Sequence, residues 1–459
     1  MKSPLSRRRF VKLGASAAAA YGLLGALPGR RDALAATADT SGYKAIVCVF
    51  LYGGNSSFNW VVPVSSAGYS TYAASRSNLA LPASSLLPLN ATASDGYTYG
   101  LHPSCPELQA LFNAGHAAVV CNVGTLVQPV TPAQAQAGSV ALPSQLFSHI
   151  DQQTLWMTSV ANSPERYGWA GRVADLLFSQ GDTPNLAFNI NVGGANYWQE
   201  GQTTIPYALG TGGAAVLDVT SNAGYRNGAR MQAAIDLTTQ AGSDGNLMVQ
   251  QYASIQNNAA AKVNLVNNAF AAAGDLTTPF PIYSGDSDLG SQLHEVSQCI
   301  KAHSQIGDGR QIFFVQLLGF DTHDGELSTQ QTLLGILSKN LNTFWTAMGE
   351  IGMQNNVTLF TASDFGRTLT SNGDGSDHAW GGHSMVMGGA VQGGKFYGKM
   401  PSLVVGGADD FGSGRIVPTT STDQYAATLS RWFGVADSDL NTVFPNLQNF
   451  SVRNLGFLG

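Results

Sequence analysis

Apolar and polar positions along the chain alternate between two patterns. Residues 44–52 (KAIVCVFLY), 311–319 (QIFFVQLLG) and 357–362 (VTLFTA) are near-continuous apolar runs, as expected of strands covered on both faces. Residues 169–179, 327–353 and 423–433 carry apolar side chains at helical spacing. A shorter helix is predicted at 106–114, and further strands at 116–123, 185–192 and 383–390. Strands separated by helices predict an α/β fold: a mainly parallel sheet flanked by helices, with right-handed crossovers. Residues 63–100, crowded with Pro, Ser and Tyr, read as an irregular surface excursion. Residues 200–305 are Asn/Gln/Ala-rich, with helical stretches at 225–240, 244–273 and 288–304, and read as a helical insertion or cap.

The three strongest strands each end in a polar, Gly-containing turn. These turns carry Gly53, Gly54, Asn55 and Ser56; then Asp321, His323 and Gly325; then Asp364, Gly366 and Arg367. Parallel neighbours place such ends on one edge of the sheet, where open α/β sheets bind ligands. Gly53 and Gly54 allow close backbone approach to a ligand, and a tight turn would use them equally. The last turn runs on from Asn372 to His378 (NGDGSDH) and then to His383. Turn formers of this kind suit a solvated loop. Two Asp and two His in the same stretch also suit a metal or anion site, since imidazole with carboxylate fits zinc, iron or manganese. Convergence of three strand ends favours the site. Ser148, between Phe147 and His149 before a predicted helix, has two readings. It caps that helix, with Asp151 at the third position, or it is a hydroxyl placed to attack or hold an anion at a helix N-terminus.

Composition changes the picture at the N-terminus. Residues 6–12 (SRRRFVK) form a twin-arginine export motif, 13–27 are weakly apolar, and 33–35 (ALA) offer a small-residue cleavage site. The apolar stretch is shorter than the roughly 20 residues of a membrane span. The expectation is a signal peptide at 1–35 and a single domain at 36–459. The twin-arginine machinery is then the export partner, and the product is periplasmic or secreted without a stable membrane anchor. Beyond residue 35 the chain carries 16 basic and 28 acidic residues, a net charge of −12 against −6 for the whole sequence. That balance argues against nucleic acid as a partner. Of four cysteines, Cys48 and Cys121 lie inside strand patterns and read as buried thiols, whereas Cys105 and Cys299 are free to pair. None has the spacing of a thiolate metal site.

Several blocks taken together resemble one family: FLYGGNSSFNWVVP, LHPSCPEL, FSHIDQQTLW, FDTHDGE, FTASDFGRTLTSNGDGSDHAWGGH and RIVPTTSTDQYAATLSRWFG. It is the bacterial exported family catalogued as domain of unknown function 1501, and the likeness covers almost the whole chain. The resemblance implies an alkaline phosphatase/sulfatase-like fold and a divalent-metal-dependent hydrolase of phosphate or sulfate esters, with zinc or another transition metal. On that resemblance Asp321, His323 and His378 correspond to ligands of a first metal, Asp364 to a ligand of a second, and Ser148 to the nucleophile. Asn55, Ser56, His149, Asp377 and His383 would lie behind the ligands or face substrate, and Arg367 or Arg172 would bind the ester's oxygens. Two positions depart from the family pattern. Phe365 follows Asp364 where relatives usually have His, and Ser56 stands where many members have Asp. One ion is therefore expected more readily than two, and a non-catalytic binding or structural protein on the same fold is the alternative.

Overall fold

The computed structural model describes residues 41–459, apart from 182–183, 215–226, 243–244, 284–287 and 308. The segment read as a signal peptide lies outside the described residues. The described strands are β1 (Lys44–Leu51), β2 (Val61–Pro63), β3 (Leu87–Thr92), β4 (Thr98–Leu101), β5 (Ala117–Gly124), β6 (Asn189–Asn191) and β7 (Tyr207–Ala208). They continue with β8 (Arg310–Leu317), β9 (Val357–Ser363), β10 (Arg367–Ser371), β11 (Ser376–His378), β12 (Gly382–Met387), β13 (Phe396–Tyr397) and β14 (Thr420–Ser421). The helices begin with α1 (Ser66–Arg76), α2 (Pro106–Asn113), α3 (Pro132–Ala137), α4 (His149–Thr158), α5 (Trp169–Ser179) and α6 (Asn227–Gly242). After them come α7 (Leu247–Ala273), α8 (Leu289–Lys301), α9 (His303–Ile306), α10 (Glu326–Glu350), α11 (Thr422–Phe433) and α12 (Leu440–Val443).

The main sheet has the order β13-β5-β12-β9-β1-β8-β6-β7, with β14 also paired to β5. Strands β9, β1, β8, β6 and β7 are mutually parallel, and β12 runs antiparallel to both of its neighbours. This is the mainly parallel, helix-flanked sheet that the hydrophobic pattern predicts. Strand β1 is apolar throughout because both of its faces are covered. Ala45, Val47, Val49 and Leu51 join one core with Leu108 and Phe112 of α2, Leu293 and Val296 of α8, and Leu334 and Leu341 of α10. On the opposite face Phe50 meets Trp156 of α4, and Phe360 of β9 meets Trp156, Trp169 of α5 and Tyr425 of α11. Each large side chain buried this way stabilises the fold by about 1.5–3 kcal/mol. Leu51 lies opposite both Leu317 and Ser363, so the loops after β1, β8 and β9 leave one edge side by side.

Four features differ from the sequence expectation. Residues 63–100 are no irregular excursion: α1 and an antiparallel sheet of order β2-β4-β3 occupy them, and Tyr72 and Arg76 are fully buried. Strands this short, broken by Pro and Ser, show little of the two-residue period that would announce them. The loop after Asp364 is a hairpin, β10 pairing antiparallel with β11 around the turn 372–375. Within 200–305, helix α8 belongs to the sheet's own cover, because Leu293, Val296 and Ile300 lie in the main core. Cys105 and Cys299 are unpaired, and all four cysteines are buried free thiols. No helix among the described residues is long and apolar enough to cross a membrane.

Candidate metal centre

The three adjacent loops pack on one another before they meet anything else. A Cβ on Gly53 would stand 2.2 Å from the backbone nitrogen of Asp321, and one on Gly54 would stand 2.5 Å from the Phe365 ring. Both glycines also have positive φ, +117° and +87°. They are there for loop-on-loop contact.

Arg367 fastens the same loops from beneath. It is fully buried and lies opposite His378 in the β10–β11 hairpin. Its guanidinium donates to the carbonyls of Gly54 (3.0 Å), Phe320 (3.2 Å), Gly53 (3.0 Å) and Ser376, and to Asp321 Oδ1. Every nitrogen of the fork is engaged and the side chain has no exposed surface, so Arg367 is not open to the substrate-binding role expected of it. Arg172 does not either, since it donates to the carbonyls of Tyr167 (2.6 Å), Thr158 (2.5 Å) and Val443 (2.7 Å).

Above Arg367 three imidazoles converge on Asp321. The Nε2 atoms of His149, His323 and His378 lie 3.5, 3.2 and 3.4 Å from Asp321 Oδ1. Each ring is held at its other nitrogen by an oxygen acceptor. Nδ1 of His149 donates to Asp364 Oδ2 (2.6 Å), Nδ1 of His323 to Asp377 Oδ1 (3.2 Å), and Nδ1 of His378 to the carbonyl of Phe147 (2.8 Å). In a neutral imidazole that arrangement leaves the lone pair on Nε2. Three lone pairs thus face one carboxylate, and those of His323 and His378 are only 2.9 Å apart. Two such acceptors repel unless a proton or cation lies between them. His149 Nε2 is buried with no hydrogen-bond partner. Burial lowers the pKa of His378, which favours its neutral form. The hydrogen bond to Asp364 raises that of His149, against the effect of burial. Partial burial opposes ionisation of Asp321, but Arg367, His149 and His323 outweigh it and hold its pKa below the ordinary carboxylate value.

These donors suit a metal ion. Ligand atoms of His149, Asp321 and His378 all lie within 4.8 Å of one another. An ion bound at about 2.0–2.2 Å from each ligand would set neighbouring ligand atoms about 3.3 Å apart in a tetrahedral site. The distances to Asp321 cluster around that value. An acceptor on Nδ1 of each ring is the support that metal-bound histidines usually have.

The individual roles differ from those the sequence suggests. Asp364 has no exposed side-chain surface and spends its oxygens on His149, Gln153 (2.9 Å) and the N–H of Gly53 (3.3 Å). It orients His149 and is not itself placed as the ligand expected of it, while His149, expected behind the ligands, comes to the front. Phe365 packs against both His149 and His378, with ring centroids 4.8 Å away, and walls the cluster. Ser148 stands at the N-terminus of α4, but its hydroxyl donates to Asp151 (2.5 Å) instead of capping the backbone. Ser56 points elsewhere. Its hydroxyl donates to Glu326 (2.7 Å) and accepts from Arg76 (3.1 Å), inside a fully buried Arg76–Glu326 ion pair. Asn55 is a loop staple, its N–H on Ser363 Oγ (2.9 Å) and its side-chain oxygen on Gln330 (3.2 Å). His383 is buried against Phe58, accepts from the N–H of Asn122 (3.2 Å), and has its pKa pushed down to about 3 by burial. It stands outside the His149–Asp321–His378 group. Glu326 and Gln153 went unnoticed in the sequence. The spacing of His149 and Gln153, four residues apart on one helix face, was the available signal for the latter.

No curated protein matches the chain. Among solved structures it is similar to a protein of the alkaline phosphatase superfamily from Vibrio parahaemolyticus, at 12% identity and a TM-score of 0.36 over 87% of this chain and 68% of that one. The sulfatase PsFucS1 from Pseudoalteromonas sp. gives 10% and 0.33 over 87% and 68%. The lipoteichoic acid synthase LtaP from Listeria monocytogenes gives 10% and 0.27 over 72% and 58%. Likenesses this distant assign no activity. Residues 43–443, which contain the whole main sheet and every member of the histidine–aspartate cluster, match the family described as protein of unknown function (DUF1501), and the chain belongs to it.

Proposed function

We propose that the protein is an exported, metal-dependent hydrolase or transferase acting on phosphate or sulfate esters. The observation that carries this reading is the convergence of three Nε2 lone pairs on Asp321, each ring fixed from behind by an oxygen. His149, Asp321 and His378 would hold a divalent ion, zinc or another transition metal, with His323 beside them. Bound there, the ion would supply Lewis acidity toward an ester oxygen and lower the pKa of a nucleophile. The chain's own residues do the rest. Asp364 keeps His149 in the tautomer that presents Nε2, and the Phe147 carbonyl does the same for His378. Phe365 excludes water from one side of both rings. Ser148, whose neighbours Phe147 and His149 both belong to the cluster, carries a hydroxyl already hydrogen-bonded to the Asp151 carboxylate, which is placed to take its proton. Export by the twin-arginine route is part of this proposal and rests on residues 6–35 alone.

Elemental analysis of protein purified after export tests the metal, with about one equivalent expected per chain. Turnover of chromogenic phosphate and sulfate esters, abolished by chelator and by His378→Ala, tests the chemistry. Metal-loaded protein inert toward both ester classes would sink the catalytic reading.

A further inference from the structure

The cluster gathers Asp321, Asp364 and Asp377, yet its substrate is proposed to be an anion. Arg367, Arg172 and Arg76 are already spent, each held by carbonyls or by a buried carboxylate. Arg415 differs. Its Nε donates to the carbonyl of His378 (3.2 Å), Nη1 makes a long contact to the carbonyl of Gly412 (3.4 Å), and the guanidinium lies over the Phe147 ring, 5.0 Å from its centroid. Nη2 has no partner among the described residues. The residue is half-buried, and Nη2 is not among the buried side-chain atoms left without a partner. Its field also helps hold the Asp377 carboxyl below the ordinary range, after the larger effect of the Asn372 hydrogen bond.

The loop that carries it is firmly built. The buried carboxylate of Asp410 accepts the N–H groups of Gly406 (2.7 Å), Gly412 (2.7 Å) and Gly414 (3.1 Å), and Phe411 N–H closes onto the Arg415 carbonyl (2.8 Å). Arg415 is therefore pre-positioned on the two residues, Phe147 and His378, that frame one flank of the centre. A planar guanidinium stacked on an aromatic ring, with one edge free, is suited to the oxygens of a phosphate or sulfate group.

We propose that Arg415 is the anion-recognition residue of this centre, binding an oxygen of the substrate's phosphate or sulfate group through its free guanidinium edge. The proposal rests on the ester-chemistry reading above. Its test measures inorganic phosphate and inorganic sulfate binding to the full exported chain by calorimetry, with zinc and with chelator. Arg415→Met keeps an apolar stem over Phe147 and removes the charge, whereas Arg415→Lys keeps the charge without the fork. Arg415→Met is expected to weaken anion binding by roughly ten- to a hundredfold, Arg415→Lys by less, and neither to change zinc affinity by more than about twofold. A loss confined to one of the two anions supports the proposal and names the ester class. Unchanged anion binding in Arg415→Met overturns it. A parallel fall in zinc affinity also overturns it, because Arg415 would then act only by supporting His378. If the anions bind equally well in chelator and Arg415→Met still abolishes binding, Arg415 keeps its role and the metal-dependent reading fails instead.

Discussion

Individual side chains in this centre are assigned by what their hydrogen bonds leave over. Asp364 is buried and accepts from three protein donors, while the Nε2 of His149 has no hydrogen-bond partner. Replacing Asp364 by Asn removes the negative charge behind His149 and puts one NH2 group either against the N–H groups of His149 and Gln153 or against that of Gly53. Zinc affinity should fall by about 10–100-fold, measured by competition with a chromogenic chelator. Equal affinities would remove Asp364 from its orienting role. Ser56 invites the opposite mistake. Its hydroxyl faces Glu326 and Arg76, both without exposed side-chain surface. Ser56→Asp would put a second carboxylate beside Glu326, where two like charges raise one pKa and share a single guanidinium. The expected cost is on the order of 3 kcal/mol, seen as a lower melting temperature of the same size in zinc and in chelator. Rescue by zinc would show that residue 56 faces the metal after all.

At the level of elements, the parts legible in the sequence were those whose environment is uniform along their length. β1, β8 and β9 are buried on both faces, so they read as unbroken apolar runs, and their polar ends fell into one row once parallel pairing was assumed. Asp321 and His323 could be nominated because they sit just beyond such an end, and His378 because the polar stretch after β9 runs on to it. The role of His149 could not, since it depends on α4 crossing over the end of β9, a tertiary contact with no local pattern. The antiparallel sheet β2-β4-β3 was missed for a different reason: strands of 3 to 6 residues carry too few positions to show a period. Gly53 joins local conformation to the site. Gly53→Ala would press a Cβ onto the Asp321 backbone and also strain φ, whereas Gly96→Ala, at φ +81° with open space around it, strains φ alone. Gly96→Ala should cost about 1 kcal/mol and leave zinc affinity intact. Gly53→Ala should cost clearly more and weaken zinc by displacing Asp321. Indistinguishable variants would show that the loop contact yields freely.

Across the whole molecule, stability follows pH through buried groups of both signs, among them two carboxyls, one in the helix layer on each face of the sheet. Burial pushes Glu295 of α8 up to about 7, and burial likewise pushes Asp423 of α11 up to about 7 despite the hydrogen bond from Ser421. In the unfolded chain both titrate near 4. Between about pH 4 and 7 the folded protein therefore holds protons that the unfolded chain has released, and stability falls as pH rises through that window. Glu350 acts in the other direction. Backbone N–H groups of Thr277 and Thr278 hold it at about 2, so its contribution is present above the unfolded value and lost as pH drops toward 2. The buried imidazoles of His102 and His383, pushed down to about 4 and about 3, act against Glu295 and Asp423: the unfolded chain binds protons there that the folded protein does not, so their effect raises stability with pH up to about 6.5. The combined expectation is near-level stability at mildly acidic pH and a fall toward pH 8. Urea unfolding at pH 5 and pH 8 should show a small net loss for wild type on the way up, on the order of 1 kcal/mol. In Asp423→Asn that loss should vanish or reverse, because a neutral side chain has no proton to release. Adding Glu295→Gln should move the difference further the same way, since the two groups lie on opposite faces of the sheet and act independently. If the single and double variants keep the wild-type difference between pH 5 and pH 8, both carboxyls are ionised in the folded state.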